Sequence, residues 1–592
     1  MDKEKFRQIK MRGWYLHLKY GRVIAVTLLL LLVIRVNLHA QELAIAWEVN
    51  IISEEEEQEI MKECTGNSSM INTHQVDLML NGVMLPHDVS RNRYYVSQNI
   101  DVDGWEGILT TNSDKVKLYL LEDDYLGDKK SAIEEGHVFR VLLKKGEEYA
   151  LTNLVATGMP IVSIDTKYSR EPDYTEDDID NFVFNSDTRY YGNITIYNAD
   201  GSSGTYTAPE MRNSTAAALS GKLGAKIQEK IQEKIQEKNY RILQHQVCYH
   251  GRGATSAGFD KKGYALKLID EDEKKVTESL FQLGFSSKWK LLSIPADQYK
   301  IREKTAWQLW AEMAETAEGF REYTSAAEYC ELIMDGEYRG LYLLIKTFDE
   351  TSLGLEDEDI LYKIIQAEMP AKDEIEASVE QEYPVCYPIR MRYPDLDEIS
   401  VEQAWEPMKH YLDVSLWHTS FPDYYESVEL DNLIDFTIFL ETVTASDNAR
   451  KNTYMVADQQ EDGSYKMITL PWDLDNTFGN IFDNNMDIGK TKFNPDTSVI
   501  YTEGVTRQLF INNEHGEKDR LIEKWENYRQ NILSDEHIFG IMQDNMDYLV
   551  SSGAFARDEE KWPEFGHTSD LTKIMEYQKE RMAFLDDYFT AD

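Results

Sequence analysis

The sequence predicts an α+β fold in which a β-rich first half leads into a mostly helical second half. Three observations carry this. Between Gln75 and Gly158, short alternating runs are broken by turn residues at strand-like spacing. Further strands follow, among them Gly263 to Ile269 and a β-hairpin made by Tyr329 to Met334 and Tyr338 to Ile345 across the turn Asp335-Gly336. Residues 399 to 592 then read as mostly helical, with Leu430 to Val443 a strong apolar segment.

A chain of 592 residues is too long for one core, so more than one domain is expected. The boundaries fall as residues 1–40, a signal peptide or membrane anchor; 41–72, an acidic stalk; 73–157, a small β-sandwich; and 158–592, the α+β domain that holds the chemistry. The formal net charge is −44. Such a surface repels nucleic acid and anionic lipid, so neither is an expected partner; it suits a basic substrate, or serves to keep an exported protein soluble.

The N-terminal segment carries Lys3, Lys5, Arg7, Lys10, Arg12, Lys19 and Arg22 before an apolar run from Val23 to Ile34 that Arg35 ends. That run is short for a spanning helix and typical of a signal h-region, with Leu38-His39-Ala40 as a cleavage site; an uncleaved, tilted anchor is the other reading. Both leave the basic flank in the cytoplasm and place the rest outside, as a membrane-anchored or secreted protein. Cys64, Cys248, Cys330 and Cys386 are too far apart for a C-x-x-C metal or redox site. Export permits disulfides, with three pairings open, and free buried thiols are the alternative.

In chain order, Ser53 to Glu59 is an acidic solvated segment or short helix. Val76 to Leu80, Trp105 to Thr110, Val116 to Leu121, Phe139 to Leu143 and Tyr149 to Val155 are the strands of the small sandwich, with turns at Asn81-Gly82 and Lys145-Gly146. Met159 to Asp165 and Tyr190 to Tyr197 are the next strands. Residues 202–224 form a loop, and the repeat that starts at Ile227, Ile231 and Ile235, each followed by Gln-Glu-Lys, is an exposed helix inserted there. A helix from Ile301 to Glu318 precedes the Tyr329 hairpin.

Two stretches carry chemistry. Gly251-Arg252-Gly253 is a glycine-rich turn just before the strand Gly263 to Ile269, on which Tyr264, Leu266 and Leu268 share one face and Ala265 and Lys267 the other. Such a turn lets backbone N–H groups approach a phosphate, and a lysine on the neighbouring strand can neutralise it. Asp447 and Asn452 stand in a D-x-x-x-x-N spacing, and Asp473 and Asp475 follow the apolar run Met467 to Leu470. Between them Thr453 to Val456 and Tyr465 to Leu470 read as a hairpin, which brings its ends, and so all four residues, together. Three carboxylates and an amide oxygen suit Mg²⁺ or Mn²⁺ with a phosphate. The layout matches phosphoryl transfer, with a catalytic-loop Asp, a metal-binding Asn five residues on, and a second metal Asp after a hairpin.

From about residue 159 to 590 the chain resembles the CotH family, the spore coat protein H kinases and their exported relatives. Six segments carry the resemblance: Met159 to Ile164; Gly251 to Thr255 with Lys261 to Leu268; Ile301 to Lys304; Met334 to Leu344; Arg392 to Asp395; and Ser446-Asp447-Asn448 through Trp472 to Asp475 and Phe478-Gly479. It implies an atypical protein-kinase-like domain that uses ATP and a divalent metal to phosphorylate Ser/Thr of secreted or cell-surface proteins. By motif, Asp447 is the catalytic-loop Asp, Asn452 and Asp473 hold metal with Asp475 beside them, and Lys267 neutralises phosphate. Gly251, Arg252, Gly253 and Arg302 join Lys267 as nucleotide-binding candidates. The family usually has Asn where Ala254 stands and Glu where Lys346 stands. An inactive cell-surface module on the same fold is the alternative reading.

Overall fold

The computed structural model describes residues 47, 49–64, 76–101, 103–171, 188–198, 242–253, 258–316, 324–366, 369–382, 385–394, 399–414, 424–449, 451–480, 494–499, 513 and 516–590. The N-terminal signal or anchor, the 227–238 repeat and Ala254 lie outside them. Among the described residues no helix is long and apolar enough to cross a membrane. The fold is mixed α+β, in two compact units divided between Thr157 and Gly158.

The first unit holds a six-stranded sheet in the spatial order Asn50–Ile52, Lys117–Leu121, Val138–Lys145, Glu148–Thr157, Arg93–Ser97 and His87–Asp88, and a three-stranded sheet of Val83–Met84, Leu78–Leu80 and Leu109–Thr111. The Lys145-Gly146 turn makes the expected hairpin between the third and fourth strands. Asn50–Ile52 and Arg93–Ser97 add to the larger sheet in parallel, a pairing that no local turn announces. Trp47, Trp105 and Phe139 pack ring against ring in the core. The acidic stretch is a helix, Glu54–Glu63, started by a Ser53–Glu56 capping box. It is held to the sheet as well as solvated: Glu57 is buried and pairs with Arg140 at 3.0 Å.

The second unit begins with a closed seven-stranded barrel. Its strands are β1 (Ile161–Arg170), β2 (Arg189–Tyr197), β3 (Ile242–Arg252), β4 (Gly263–Ile269), β5 (Lys288–Leu292), β6 (Ala327–Met334) and β7 (Glu337–Lys346). Antiparallel pairing runs β1-β2-β3-β4-β5-β7-β6, and β6 returns to β1 in parallel, Ile161 opposite Glu331. Closure leaves no unpaired sheet edge. Leu266 and Leu268 of β4 face the apolar interior with Ile194, Val247 and Trp289, so Ala265 and Lys267 face outward, as the period of two requires.

After the barrel strand β5 comes helix α1 (Arg302–Thr316), and after β7 a five-stranded sheet with a helical layer: β8 (Ile360–Ile364), β9 (Val385–Cys386), β10 (Ile389–Tyr393), β11 (Thr453–Gln459) and β12 (Tyr465–Pro471), in the order β9-β10-β8-β11-β12. The helices include α2 (Val401–Leu412), α3 (Leu430–Val443), α4 (Glu517–Arg529), α5 (Asp535–Ser551), α6 (Ala554–Lys561) and α7 (Thr572–Thr590), beside Glu350–Leu353, Lys372–Glu380 and Tyr424–Ser427. The helical half therefore contains a sheet larger than the expected hairpin, because β8 and β10 pair with β11 across long sequence gaps. One apolar core joins α1, α3, α5 and α7 to β7 and β12. The four cysteines are free thiols, and Cys64, Cys330 and Cys386 are buried.

Candidate active site

The β11–β12 hairpin sets the site. Thr453 pairs with Pro471, and one step further the Trp472 N–H donates to the Asn452 carbonyl at 2.9 Å. The end of the Asp447–Asn452 loop and the start of the Asp473–Asp475 loop are thereby adjacent. Asn452 and Asp473, one on each loop, both adopt left-handed backbone, with φ of 52° and 61°. Non-glycine residues there carry strain on the order of 1–3 kcal/mol, a feature of functional loops.

Asp447 opens a short 3₁₀ turn after α3 and accepts on one oxygen, Oδ2, from Lys451 Nζ at 3.1 Å and from Asn476 Nδ2 at 3.1 Å. Asp473 Oδ1 lies 3.4 Å from Arg252 Nη2, so the glycine-rich end of β3 reaches the second loop. Asp475 is half-buried; burial first, then the charges of Asp473, Glu303 and Asp447, push its carboxyl well above the usual carboxylate range, with Arg252 opposing. Glu303, in the first turn of α1, is buried, and burial followed by the Asp473 charge raises its carboxyl to about 8. Asp447, Asp473, Asp475 and Glu303 thus form one acidic field.

Of the other candidates, Arg252 alone is seen to meet this field. Arg252 is opposite Gly263, and Gly253 has φ of 118°, which a side chain would oppose. Gly251 lies one step earlier on β3, opposite Tyr264, where an added Cβ meets nothing within 4 Å. Lys267 is half-buried on the outward row with Cys248 and Lys288. The next row carries Lys290, opposite Ala265, with its ammonium 4.3 Å from the centre of the Trp472 ring. The Ile301-Arg302-Glu303-Lys304 segment meets the cluster through Glu303. The Arg302 guanidinium is engaged by Asp297 and lies over Tyr299 at 4.8 Å, while its backbone N–H donates to Asp297 at 2.8 Å.

Sequence reasoning missed Glu303, Asn476 and Lys290. Glu303 looked like one acid on a helix, Asn476 sat unremarked beside Asp475, and Lys290 was one of two lysines flanking Trp289. The alternation Lys288-Trp289-Lys290 on a half-buried strand was the signal available.

The donor set is all oxygen, as hard cations prefer, and burial pushes Asp475 and Glu303 toward their neutral forms. Among the described residues, no three His, Cys, Asp or Glu side chains are grouped closely enough to hold a metal ion. Arg252 and Lys451 stand against Asp473 and Asp447 as the local positive charges. In chemistry alone the oxygen donors of Asn452, Asp473 and Asp475 are of the kind a divalent cation takes.

A family model described as CotH kinase protein matches residues 249–585, more than half of the chain. The chain belongs to the CotH family. Among curated proteins, none matches it. The CotH match opens in β3, just ahead of the Gly251–Gly253 turn, and closes in α7, so it contains every residue of the acidic field and both loops. The strands β1 and β2, which complete the barrel, precede the matched span.

Proposed function

We propose that this CotH-family chain is a kinase-type phosphotransferase, moving the γ-phosphate of ATP to Ser or Thr hydroxyls of secreted or cell-surface proteins. The observation that carries the reading is the meeting of the Asp447 and Asp473 loops with Arg252 of the glycine-rich turn. Asp447 has Oδ2 held by Lys451 and Asn476, so Oδ1 is left to accept the proton of an incoming hydroxyl. Asn452, Asp473 and Asp475 would hold Mg²⁺ or Mn²⁺. That ion, when bound, neutralises phosphate charge against the carboxylates. Arg252, Lys267 and Lys290 supply positive charge from the barrel wall, and Gly251 and Gly253 leave room for phosphate against the backbone. The fold that results is an atypical kinase-like one, with the barrel in the place of the nucleotide-binding lobe. Export and membrane attachment are proposed on the basic and apolar N-terminal segment alone.

A second reading, an inactive surface module, is favoured by one observation: Asp447 and Asp473 each already have a cationic partner, Lys451 and Arg252. Thermal shift with ATP and Mn²⁺ separates the two. Ligand at a hundred times its Kd stabilises a protein by about 2.7 kcal/mol, a shift of several degrees. A melting temperature unmoved by the pair leaves the inactive module standing.

A further inference from the structure

We propose that Asn448 is a positioning residue of the phosphotransfer centre, acting by locking the loop of Asn452 to the loop of Asp473; the inference rests on the kinase reading above. The Asn448 Nδ2 donates to the Asn452 carbonyl at 2.9 Å and to the Trp472 carbonyl at 2.6 Å. Both partners are carbonyl oxygens, which only accept, so the atom between them is the amide nitrogen; turning the side chain over would face three acceptors with one another. One side-chain NH₂ thus uses both of its protons to join two loops that are 20 or more positions apart in the chain.

The place where it joins them is specific. Asn452 and Asp473 are the two left-handed, non-glycine residues of the site. The bonded carbonyls belong to Asn452 itself and to Trp472, the peptide that leads into Asp473. Holding those two peptide planes fixes the direction in which each strained residue projects its side chain. The Asn452 carbonyl also accepts from Trp472 N–H, so it has two donors, one from each loop. Asn448 follows Asp447 in the same 3₁₀ turn and its own N–H bonds the Ala445 carbonyl at 3.1 Å, so the clamp is anchored to the end of α3.

The side chain makes these two bonds at a cost. Asn448 is 1% exposed, and its Oδ1 is buried with no hydrogen-bond partner. An unsatisfied buried acceptor is destabilising, and an apolar side chain of similar size would avoid it. What an apolar side chain would not do is hold the two carbonyls.

The test compares wild type with Asn448→Ala, and with Asn448→Ser, which is small and keeps one donor. Two quantities are read on folded protein: hydrogen exchange of the amides of 451–453 and 472–474, and binding of Mn²⁺ with a non-hydrolysable ATP analogue. The expected result for Asn448→Ala is exchange at least tenfold faster in both segments and Mn²⁺–nucleotide affinity about tenfold weaker, with Asn448→Ser between. Where phosphotransfer is measured, kcat and the KM for ATP both worsen. Exchange that rises only next to residue 448, or not at all, overturns the proposal; so does wild-type affinity in the Ala variant, and so does failure of both variants to fold, which would make Asn448 a stability residue. If wild type itself binds neither Mn²⁺ nor nucleotide, the kinase reading fails on that ground, and the exchange data still decide whether Asn448 joins the loops.

Discussion

Arg252 and Asp473 are 221 positions apart in the chain, yet the guanidinium Nη2 lies 3.4 Å from the carboxylate Oδ1. The pair connects the barrel to the hairpin loop, and it has two consequences. As a half-exposed ion pair it contributes little to stability, on the order of 1 kcal/mol or less. On the kinase reading its positive charge, beside that of Lys451, also serves to meet phosphate. Arg252→Met is therefore expected to lower the melting temperature by no more than a few degrees while weakening ATP binding about tenfold or more. Calorimetric titration of ATP with Mn²⁺ into both proteins measures this, and equal affinities would remove Arg252 from the nucleotide site.

Gly340 tests the packing of α6 on the barrel. Its φ is +94°, and a Cβ placed there would lie 2.3 Å from Asp558 Oδ1. That oxygen accepts from Leu341 N–H at 2.8 Å and from the buried Lys261 at 2.6 Å, and the other Asp558 oxygen pairs with His567 at 2.9 Å, so the carboxylate has no room to retreat. Gly340→Ala should destabilise by more than about 2 kcal/mol through both clash and backbone strain. Urea unfolding measures it, and a change below 0.5 kcal/mol on the same scale would mean that Asp558 is not fixed as described.

Lys346 gives a pH dependence. It is buried, its ammonium reaches the Ser352 carbonyl at 3.4 Å, and burial lowers its pKa from 10.5 to about 8, with Asp349 opposing. Below about pH 8 it is charged whether folded or unfolded, and the full cost of the buried charge applies. As pH rises from there toward 10.5 the folded state releases its proton first, the unfolded state binds more protons, and stability rises. Lys346→Met should be more stable than wild type at pH 7, on the order of 1–3 kcal/mol, with a smaller rise above pH 8; the buried Lys300, also lowered to about 8, leaves some rise in place. Denaturant unfolding from pH 7 to 10 checks both. A less stable Met variant with an unchanged pH slope would contradict it.

How much of this was legible in the sequence follows from distance along the chain. The β11–β12 hairpin and the meeting of its ends could be read because its strands are neighbours, and so could the two faces of β4. Barrel closure could not, because Ile161 pairs with Glu331, and nothing local in either strand specifies that partner. The five-stranded sheet was hidden for the same reason: Ile360–Ile364 has no adjacent hairpin mate and finds Thr453–Gln459 instead. In the site, Asp447, Asn452, Asp473 and Asp475 stood out through spacing. Glu303 did not, because only the fold carries the first turn of α1 to Asp473, and the more conspicuous neighbour Arg302 turned to Asp297.

The inserted repeat allows a simpler test. Tyr197 and Ile242 are register partners at the ends of β2 and β3, so the residues between them connect two strands already paired. Connections of this kind tolerate changes of length, since loop-closure cost varies only by about 0.6 kcal/mol per doubling. Deleting Lys226 to Lys238 should leave the melting temperature within a few degrees of wild type. A fall of ten degrees or more in differential scanning fluorimetry would show that the repeat packs on the folded body.

Phosphotransfer by Asp447→Asn and Asp473→Asn, measured together with the Mn²⁺–ATP thermal shift of each, tests the central claim most directly. On the kinase reading, Asp447→Asn removes the group that would orient and deprotonate the acceptor hydroxyl but spares those that would hold the ion. Activity should fall by about 10²–10⁴-fold while the ligand-induced shift remains. Asp473→Asn would, on the same reading, remove a ligand to the ion, so activity and the shift should both be lost. Wild-type protein that transfers no phosphate and gains no stability from Mn²⁺ and ATP, or variants that match an active wild type in both measurements, would contradict the account.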